Sequence, residues 1–270
     1  MSKRVAIAGA SGRMGRALLS AIGASEMTLG GATVRPGDPL TGGDIGQLLG
    51  EQLGIPVVDS LGALPSDIEV LIDFTAPEAT CDHLTHCVEH GIAMVVGTTG
   101  FSEAQRAALQ AASSHIPLCV AANFSIGVNL LLDALSRTAR LLGEDFDIEI
   151  IETHHRHKVD APSGTALAMG HAVANALGRD FDAVASYGRE GQTGPRDRQT
   201  IGFSTIRGGD IVGEHTVLFA GEGERIEISH KASSRMAFAA GAVRAAGWLL
   251  AQPPGYYDMQ DVLGIGETTA

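Results

Sequence analysis

RVAIAGASGRMGRALLSAI, residues 4–22, reads as a strand, a glycine turn and a helix. Val5 to Ala8 is a short apolar run of the kind a strand buried on both faces requires. Gly9, Gly12 and Gly15 follow in GxxGxxG spacing, and Met14, Leu18, Leu19 and Ile22 then recur at helical intervals. Glycine lets the backbone turn sharply and approach a pyrophosphate, whose charge then sits on the helix N-terminus. The spacing differs from the commoner GxGxxG, but the context of strand, turn and helix is the one a dinucleotide site needs. A glycine-rich turn without a ligand is the alternative.

The segments that follow repeat the plan. MTLGGATV leads to Val34-Arg35, IEVLIDFT ends at Asp73-Phe74-Thr75, IAMVVGTTG ends at Gly97-Thr98-Thr99, and IPLCVAANFS ends at Ala122-Asn123-Phe124-Ser125. Between them, PEATCDHLTHCVEHG has Pro77 in a first turn and Gly91 as a stop, and SEAQRAALQAA opens on Ser102 and Gln105 in capping-box spacing. Strands alternating with helices imply a parallel sheet, whose ligands bind outside the carboxyl ends of the strands. Those ends are small, polar or glycine-rich each time. An acid at the tip of the second strand would bind the ribose 2′-hydroxyl of NAD, whereas an arginine accommodates the 2′-phosphate of NADP. Val34-Arg35 offers no acid at that tip, which favours NADPH.

The rest of the composition narrows the class. The chain has 270 residues, 44% hydrophobic and 19% charged, enough for two modest domains with real cores. A net charge of -12 argues against a nucleic-acid partner, whose footprint is basic. Three cysteines (Cys81, Cys87 and Cys119) without a CxxC pattern argue against a disulfide framework, and all three read as small buried hydrophobes rather than nucleophiles. No signal peptide and no apolar run near ~20 residues is present, so no membrane partner and a cytoplasmic location are expected.

From Ser125 the pattern changes. GVNLLLDALSRTARLLG is an amphipathic helix, FDIEIIETHH a strand with acids and apolars alternating over its first part, and TALAMGHAVANALG a helix that starts at the Pro162–Thr165 turn. TIGFSTIRGGDIVGEHTVLFAGEGERIEISHKA reads as several antiparallel strands joined by glycine turns, with a hairpin over HTVLFAGEGERIEISHKA. The final segment is helical again and is expected to return to the first domain. Between strand and helix lies His154-His155-Arg156-His157-Lys158, a cationic cluster in an acidic protein. Histidine moves protons near neutral pH, lysine adds a compact charge and a donor, and the amides of Gly164 and Thr165 at the helix start suit a carboxylate. Metal is not expected, because HEXXH spacing is absent and no cysteine or acid completes an obvious ligand set. Residues that merely cap the helix or face solvent remain the bland alternative.

Taken together, IAGASGRMGR, IDFTAPEAT, VVGTTGF, AANFSIGVN, HHRHKVDAPSGTALAMG and GEHTVLFAGEGERIEISHKASSR closely resemble the 4-hydroxy-tetrahydrodipicolinate (formerly dihydrodipicolinate) reductases. The likeness runs over almost the whole chain, and the HHRHK…PSGTA block is its most specific part. It implies an α/β chain: a Rossmann-type parallel-sheet dinucleotide domain over 1–125, completed by 235–270, plus an α+β substrate-binding and oligomerisation domain over 126–234 with a mostly antiparallel or mixed sheet. It implies an NAD(P)H-dependent reductase of diaminopimelate and lysine biosynthesis. Gly9, Ala10, Ser11, Gly12, Arg13 and Met14 would hold the pyrophosphate, and Arg35 the adenosine ribose or its 2′-phosphate. Gly97, Thr98 and Thr99 with Ala121, Ala122, Asn123 and Phe124 would line the nicotinamide end. His154 would be the proton donor and acceptor and Lys158 a proton donor, with His155, Gly164 and Thr165 binding a cyclic imine that carries two carboxylates. Many relatives carry an acid where this chain has Val34, a departure that favours NADPH and leaves NADH to backbone contacts. The resemblance further implies a homotetramer built through the second domain's sheet. Domain closure is expected at Phe124–Gly127 and Ala232–Arg235. Two other classes compatible with the first domain are a dinucleotide-sensing regulator and a dehydrogenase of another small substrate, such as aspartate or homoserine.

Overall fold

The computed structural model describes residues 3–265. In chain order the elements are β1 (Arg4–Ala8), α1 (Arg13–Gly23), β2 (Thr28–Thr33), β3 (Val57–Val58), β4 (Val70–Asp73), α2 (Pro77–His90), β5 (Ala93–Val96), α3 (Glu103–Ala112), β6 (Pro117–Val120) and α4 (Ile126–Leu142). They continue with β7 (Asp147–His154), α5 (Gly164–Ala176), α6 (Phe181–Val184), β8 (Ala185–Ser186), β9 (Ile201–Arg207), β10 (Gly213–Ala220), β11 (Arg225–Ala232), α7 (Met236–Leu249), β12 (Gly255–Tyr257) and α8 (Met259–Leu263). Two compact units result, Met1–Ile126 with Arg235–Ala270, and Gly127–Ser234.

The first unit is a seven-stranded sheet in the order β12-β6-β5-β4-β1-β2-β3, with every pairing parallel. Strand side chains alternate between two buried faces. Val5, Ile7, Ile72 and Val95 pack with Leu18, Ile22 and Ala242 from α1 and α7, while Ala6, Leu71, Met94 and Leu118 pack with Leu84 and Leu109 from α2 and α3. Burial on both sides is why these strands read as unbroken apolar runs. Helix starts follow the local signals: Pro77 opens α2, Gly91 ends it at φ 66, and Ser102 with Gln105 closes a capping box on α3. Cys87 and Cys119 lie in the two cores, and burial pushes both thiols up to about 12.

Glycine sets the closest approaches. A Cβ on Gly15 would lie 2.5 Å from the Ala10 backbone, so glycine there lets α1 seat against the turn that precedes it. In α7 a Cβ on Gly241 would lie 1.7 Å from the Phe124 carbonyl oxygen. Gly241→Ala therefore forces two backbones apart, and urea denaturation should show a loss of about 1–3 kcal/mol, as overpacking in a tight core does.

The second unit holds a five-stranded sheet in the order β11-β10-β7-β9-β8. One face is covered by Leu131 and Leu135 of α4 and Met169 and Val173 of α5, against Ile148, Ile150, Phe203, Val217 and Phe219. The β10–β11 hairpin forms in the expected register, Gly213 opposite Ala232 through Ala220 opposite Arg225. The expectation of antiparallel strands across the Gly-Gly turn is corrected by the structure. β9 runs parallel to β7, β8 runs parallel to β9, and β10 pairs antiparallel along the other edge of β7. The segment 208–212 therefore does not close a hairpin. It crosses the end of β7, where Gly208 N donates to His154 O (2.9 Å), His155 N to Ile211 O (2.7 Å) and Arg156 N to Gly209 O (3.3 Å). This crossing fixes the backbone of the cationic cluster. Among the described residues no helix is long and apolar enough to span a membrane.

Candidate active site

In the first unit a cleft of about 820 Å³ opens at the carboxyl ends of β1, β2 and β4, where the strand order reverses. Gly9, Ser11, Gly12, Thr33, Arg35 and Thr75 are among its walls. Gly9 has φ +70, a conformation that favours glycine, and its Cβ would meet Thr75 Cγ2 at 2.8 Å. Gly12 caps α1 without a side-chain hydrogen bond, leaving the amides of the first turn to a ligand anion. These features fit a dinucleotide pyrophosphate, which needs close backbone approach and outward-facing N–H groups. The wall at β4 is held by Asp73, fully buried, which accepts from Thr75 N and Thr75 Oγ1 (2.8 and 2.6 Å) and pairs with His83 Nδ1 at 2.8 Å.

The expected cofactor residues separate into two groups. Gly9, Ser11, Gly12 and Arg35 line the cleft. Ala10 is buried, Met14 packs on the core beside it, and Arg13 is exposed at the start of α1. Gly97, Thr98 and Thr99 follow β5, and Ala121 to Phe124 follow β6, on the same edge of the sheet. Thr98 turns its hydroxyl inward to accept from Thr80 (2.9 Å), and Phe124 is 1% exposed with its ring edge-on to Phe74. Gly97 is where the Phe74 ring seats, since a Cβ there would lie 2.1 Å from it. Thr99 is exposed. Near the tip of β2 the sequence reading missed Asp38, whose Oδ2 accepts from Ser11 Oγ at 2.9 Å.

The second unit assembles the cationic cluster around an acid the sequence reading passed over. β7 alternates faces, so Ile148, Ile150, Glu152 and His154 all point to the buried side. Glu152 is 1% exposed. Its carboxylate accepts from His154 Nδ1 (2.5 Å), from Arg207 Nη1 and Nη2 (2.8 Å each) and from Ser163 N (3.2 Å). Ser163 caps α5, its Oγ accepting from Ala166 N (3.1 Å) and sharing a 2.8 Å hydrogen bond with His215 Nε2. The His154 and His215 rings meet edge-on at 5.0 Å. Lys158 Nζ pairs with Asp160 at 2.8 Å, and Asp160 O accepts from Arg207. His155 is partly buried with its Nδ1 unpartnered, Gly164 is exposed at the first position of α5, and Thr165 follows it. His154, His155, Lys158, Gly164 and Thr165 thus lie where β7 gives way to α5, and Glu152, Arg207, Ser163 and His215 brace them.

The expectation that no acid completes a ligand set is also corrected. Glu152, His154 and His215 place ligand atoms within 4.8 Å of one another. The chemistry of the set nevertheless favours protons over a cation, because both Glu152 oxygens are already held by the Arg207 guanidinium and His154 Nδ1 faces Glu152.

Electrostatics keep both histidines neutral. Burial pulls His154 below its ordinary 6.5, against the opposing hydrogen bond and charge of Glu152. The nearby charges of Lys158 and Arg207 act in the same direction as burial. Burial also drives His215 down to about 4, helped by repulsion from His154 once acid has protonated that ring. An unfolded His215 binds its proton near 6.5, the folded one only near 4, so in this window the unfolded state holds more protons. The His215 contribution to stability is present above pH 6.5 and lost as pH falls toward 4. Denaturation titrations over that range should show a steeper loss for the wild type than for His215→Gln.

Comparison with known proteins places this architecture. Residues 3–124 match the family model for the dihydrodipicolinate reductase N-terminus, and residues 127–263 match that for its C-terminus. The chain is 61% identical over 267 residues to the 4-hydroxy-tetrahydrodipicolinate reductase of Alkalilimnicola ehrlichii, covering 98% of this chain and 100% of the relative. It is 58% identical over 267 residues to the 4-hydroxy-tetrahydrodipicolinate reductase of Saccharophagus degradans, with the same coverage. In fold it matches a dipicolinate-bound dihydrodipicolinate reductase from Paenisporosarcina sp. TG-14, with a TM-score of 0.73, 24% identity, and 97% of this chain and 99% of that one covered. Both halves and nearly the full length agree, and the chain belongs to the dihydrodipicolinate reductase family.

Proposed function

We propose that the chain is an NAD(P)H-dependent oxidoreductase that converts 4-hydroxy-tetrahydrodipicolinate to tetrahydrodipicolinate, in diaminopimelate and lysine biosynthesis. The balance is substrate plus NAD(P)H plus one proton, giving product, NAD(P)⁺ and water. The observation that carries the reading is the braced cluster of Glu152, His154, Arg207 and Ser163 at the junction of β7 and α5. It holds a proton-transfer group beside a helix start suited to a carboxylate. The nicotinamide, once bound, supplies the hydride.

His154 is assigned as the acid–base residue. Its neutral ring donates through Nδ1 to Glu152, so Nε2 carries the lone pair. A substrate with two carboxylates brings negative charge to the site, which raises the affinity of His154 for a proton and turns it into a donor. Lys158 is assigned as a second donor and a carboxylate partner, exchanging Asp160 for the ligand. His155, Gly164 and Thr165 are assigned to the substrate carboxylates. Holding both carboxylates fixes the ring in one orientation, which is where positioning lowers the barrier.

Gly9 to Met14 and Arg35 are assigned to the pyrophosphate and adenosine, with Gly97–Thr99 and Ala121–Phe124 at the nicotinamide. Arg35 supports a preference for NADPH, with NADH also used. Ile206, 50% accessible and paired with Thr153 on the face of the second unit's sheet turned away from its buried core, supports assembly into a homotetramer through that sheet, and light scattering on the eluting protein tests it. A reductase drawing on the NAD(P)H pool belongs in the cytoplasm.

The decisive assay follows nicotinamide absorbance with substrate made in place, by condensing pyruvate with aspartate semialdehyde through the preceding synthase. Synthase-dependent oxidation, faster with NADPH, is the expected result. Binding of NADPH without oxidation would turn the assignment toward a dinucleotide sensor or a different substrate.

A further inference from the structure

The acid missing from the tip of β2 is replaced by one that the chain folds back to the same place. After Arg35 come Pro36, Gly37 and Asp38. Asp38 N donates to Arg35 O at 3.1 Å and Gly37 has φ +80, a turn for which Pro-Gly is the standard solution. The turn brings the Asp38 carboxylate to the glycine loop, where Oδ2 accepts from Ser11 Oγ (2.9 Å) and Oδ1 from Leu40 N (3.0 Å). Ser11 and Arg35 both line the dinucleotide cleft. In a sheet of this type the adenosine ribose lies between the glycine turn and the end of the second strand. The Ser11–Asp38 hydrogen bond spans that interval.

We propose that Asp38 is a specificity-determining residue for the dinucleotide, accepting from the ribose hydroxyls of NADH and opposing the 2′-phosphate of NADPH. The inference rests on the cofactor reading above. Each Asp38 oxygen accepts one hydrogen bond and keeps acceptor capacity for a ribose hydroxyl. Its acidity is raised by the Leu40 and Ser11 hydrogen bonds and, against slight burial, by the charge of Arg35, so it stays ionised at neutral pH. A 2′-phosphate near Arg35 meets that negative charge as well as the positive one. Arg35 favours NADPH, Asp38 restrains the advantage, and NADH remains a usable reductant without an acid at position 34.

Equilibrium binding of NADPH and of NADH, read from nucleotide fluorescence without substrate, tests this directly. Asp38→Asn keeps an oxygen to accept from Leu40 N, turns an amide N–H toward the Ser11 hydroxyl, and removes the charge. The ratio Kd(NADH)/Kd(NADPH) should rise by about three- to tenfold, and the rise should shrink at high salt. Asp38→Ser should shift the ratio in the same direction, which guards against one variant being misfolded. An unchanged ratio in both folded variants would overturn the inference and leave the cofactor reading standing. Failure of the wild type to bind either nucleotide would overturn both.

Discussion

His154→Ala should lower kcat by roughly 10²–10⁴ at saturating substrate, the range expected when a general acid–base group is lost. The residue is buried, its ring held from one side by Glu152 and edge-on to His215, and Lys158, the other donor, is engaged with Asp160, so the loss falls mainly on the proton that His154 carries. The truncation also leaves a cavity and removes one hydrogen bond from Glu152, which costs stability independently of chemistry. His154→Gln separates the two effects, because it fills more of the space and cannot move a proton. Both variants should lose kcat alike, while thermal denaturation shows His154→Gln the more stable. An unchanged kcat in a folded His154→Ala protein would reject the acid–base role and return the histidine to a packing one.

Glu152→Leu should have the larger effect on stability. It removes a buried carboxylate that holds Arg207 through two 2.8 Å hydrogen bonds, His154 through one, and the backbone of the α5 cap through another. Breaking a buried ion pair from one side costs about 3–5 kcal/mol, because the remaining charge keeps its desolvation penalty without its partner. At about 2–4 °C per kcal/mol for a domain of this size, calorimetry should show a Tm lower by ~6–20 °C. Adding Arg207→Met to Glu152→Leu should recover part of that loss, since removing both charges relieves the orphaned guanidinium. Activity should not recover in the double variant, because His154 has lost the acceptor that orients its ring. A double variant as unstable as Glu152→Leu alone would show that packing around position 152, not the pair with Arg207, dominates.

The parallel sheet of the first unit was legible because its signals are local. Apolar runs of four or five residues, glycine and small residues after each run, and helix starts such as Pro77 and Ser102 act within a few positions of one another. The HHRHK…PSGTA block was legible for the same reason, its members being neighbours in one strand-to-helix junction. What braces that block was not. Along β7 the polarity pattern flips after Ile150-Ile151, so that Glu152 falls on the buried face, and a lone acid there gives no sign of what will neutralise it. Its partner is Arg207, at the end of a strand that a glycine turn alone made look like half of a hairpin, but that pairs parallel to β7. His215 reaches Ser163 only because β10 takes the opposite edge of β7 and sets His215 across from Glu152. Asp38 reached the glycine loop through a turn, not through strand register. Periodicity tells a residue which face it occupies, and turn chemistry tells the chain where to bend. Which strands become neighbours is decided by the burial of whole sheet faces, and only that choice brings a carboxylate, a guanidinium and two imidazoles from separate strands into one buried network.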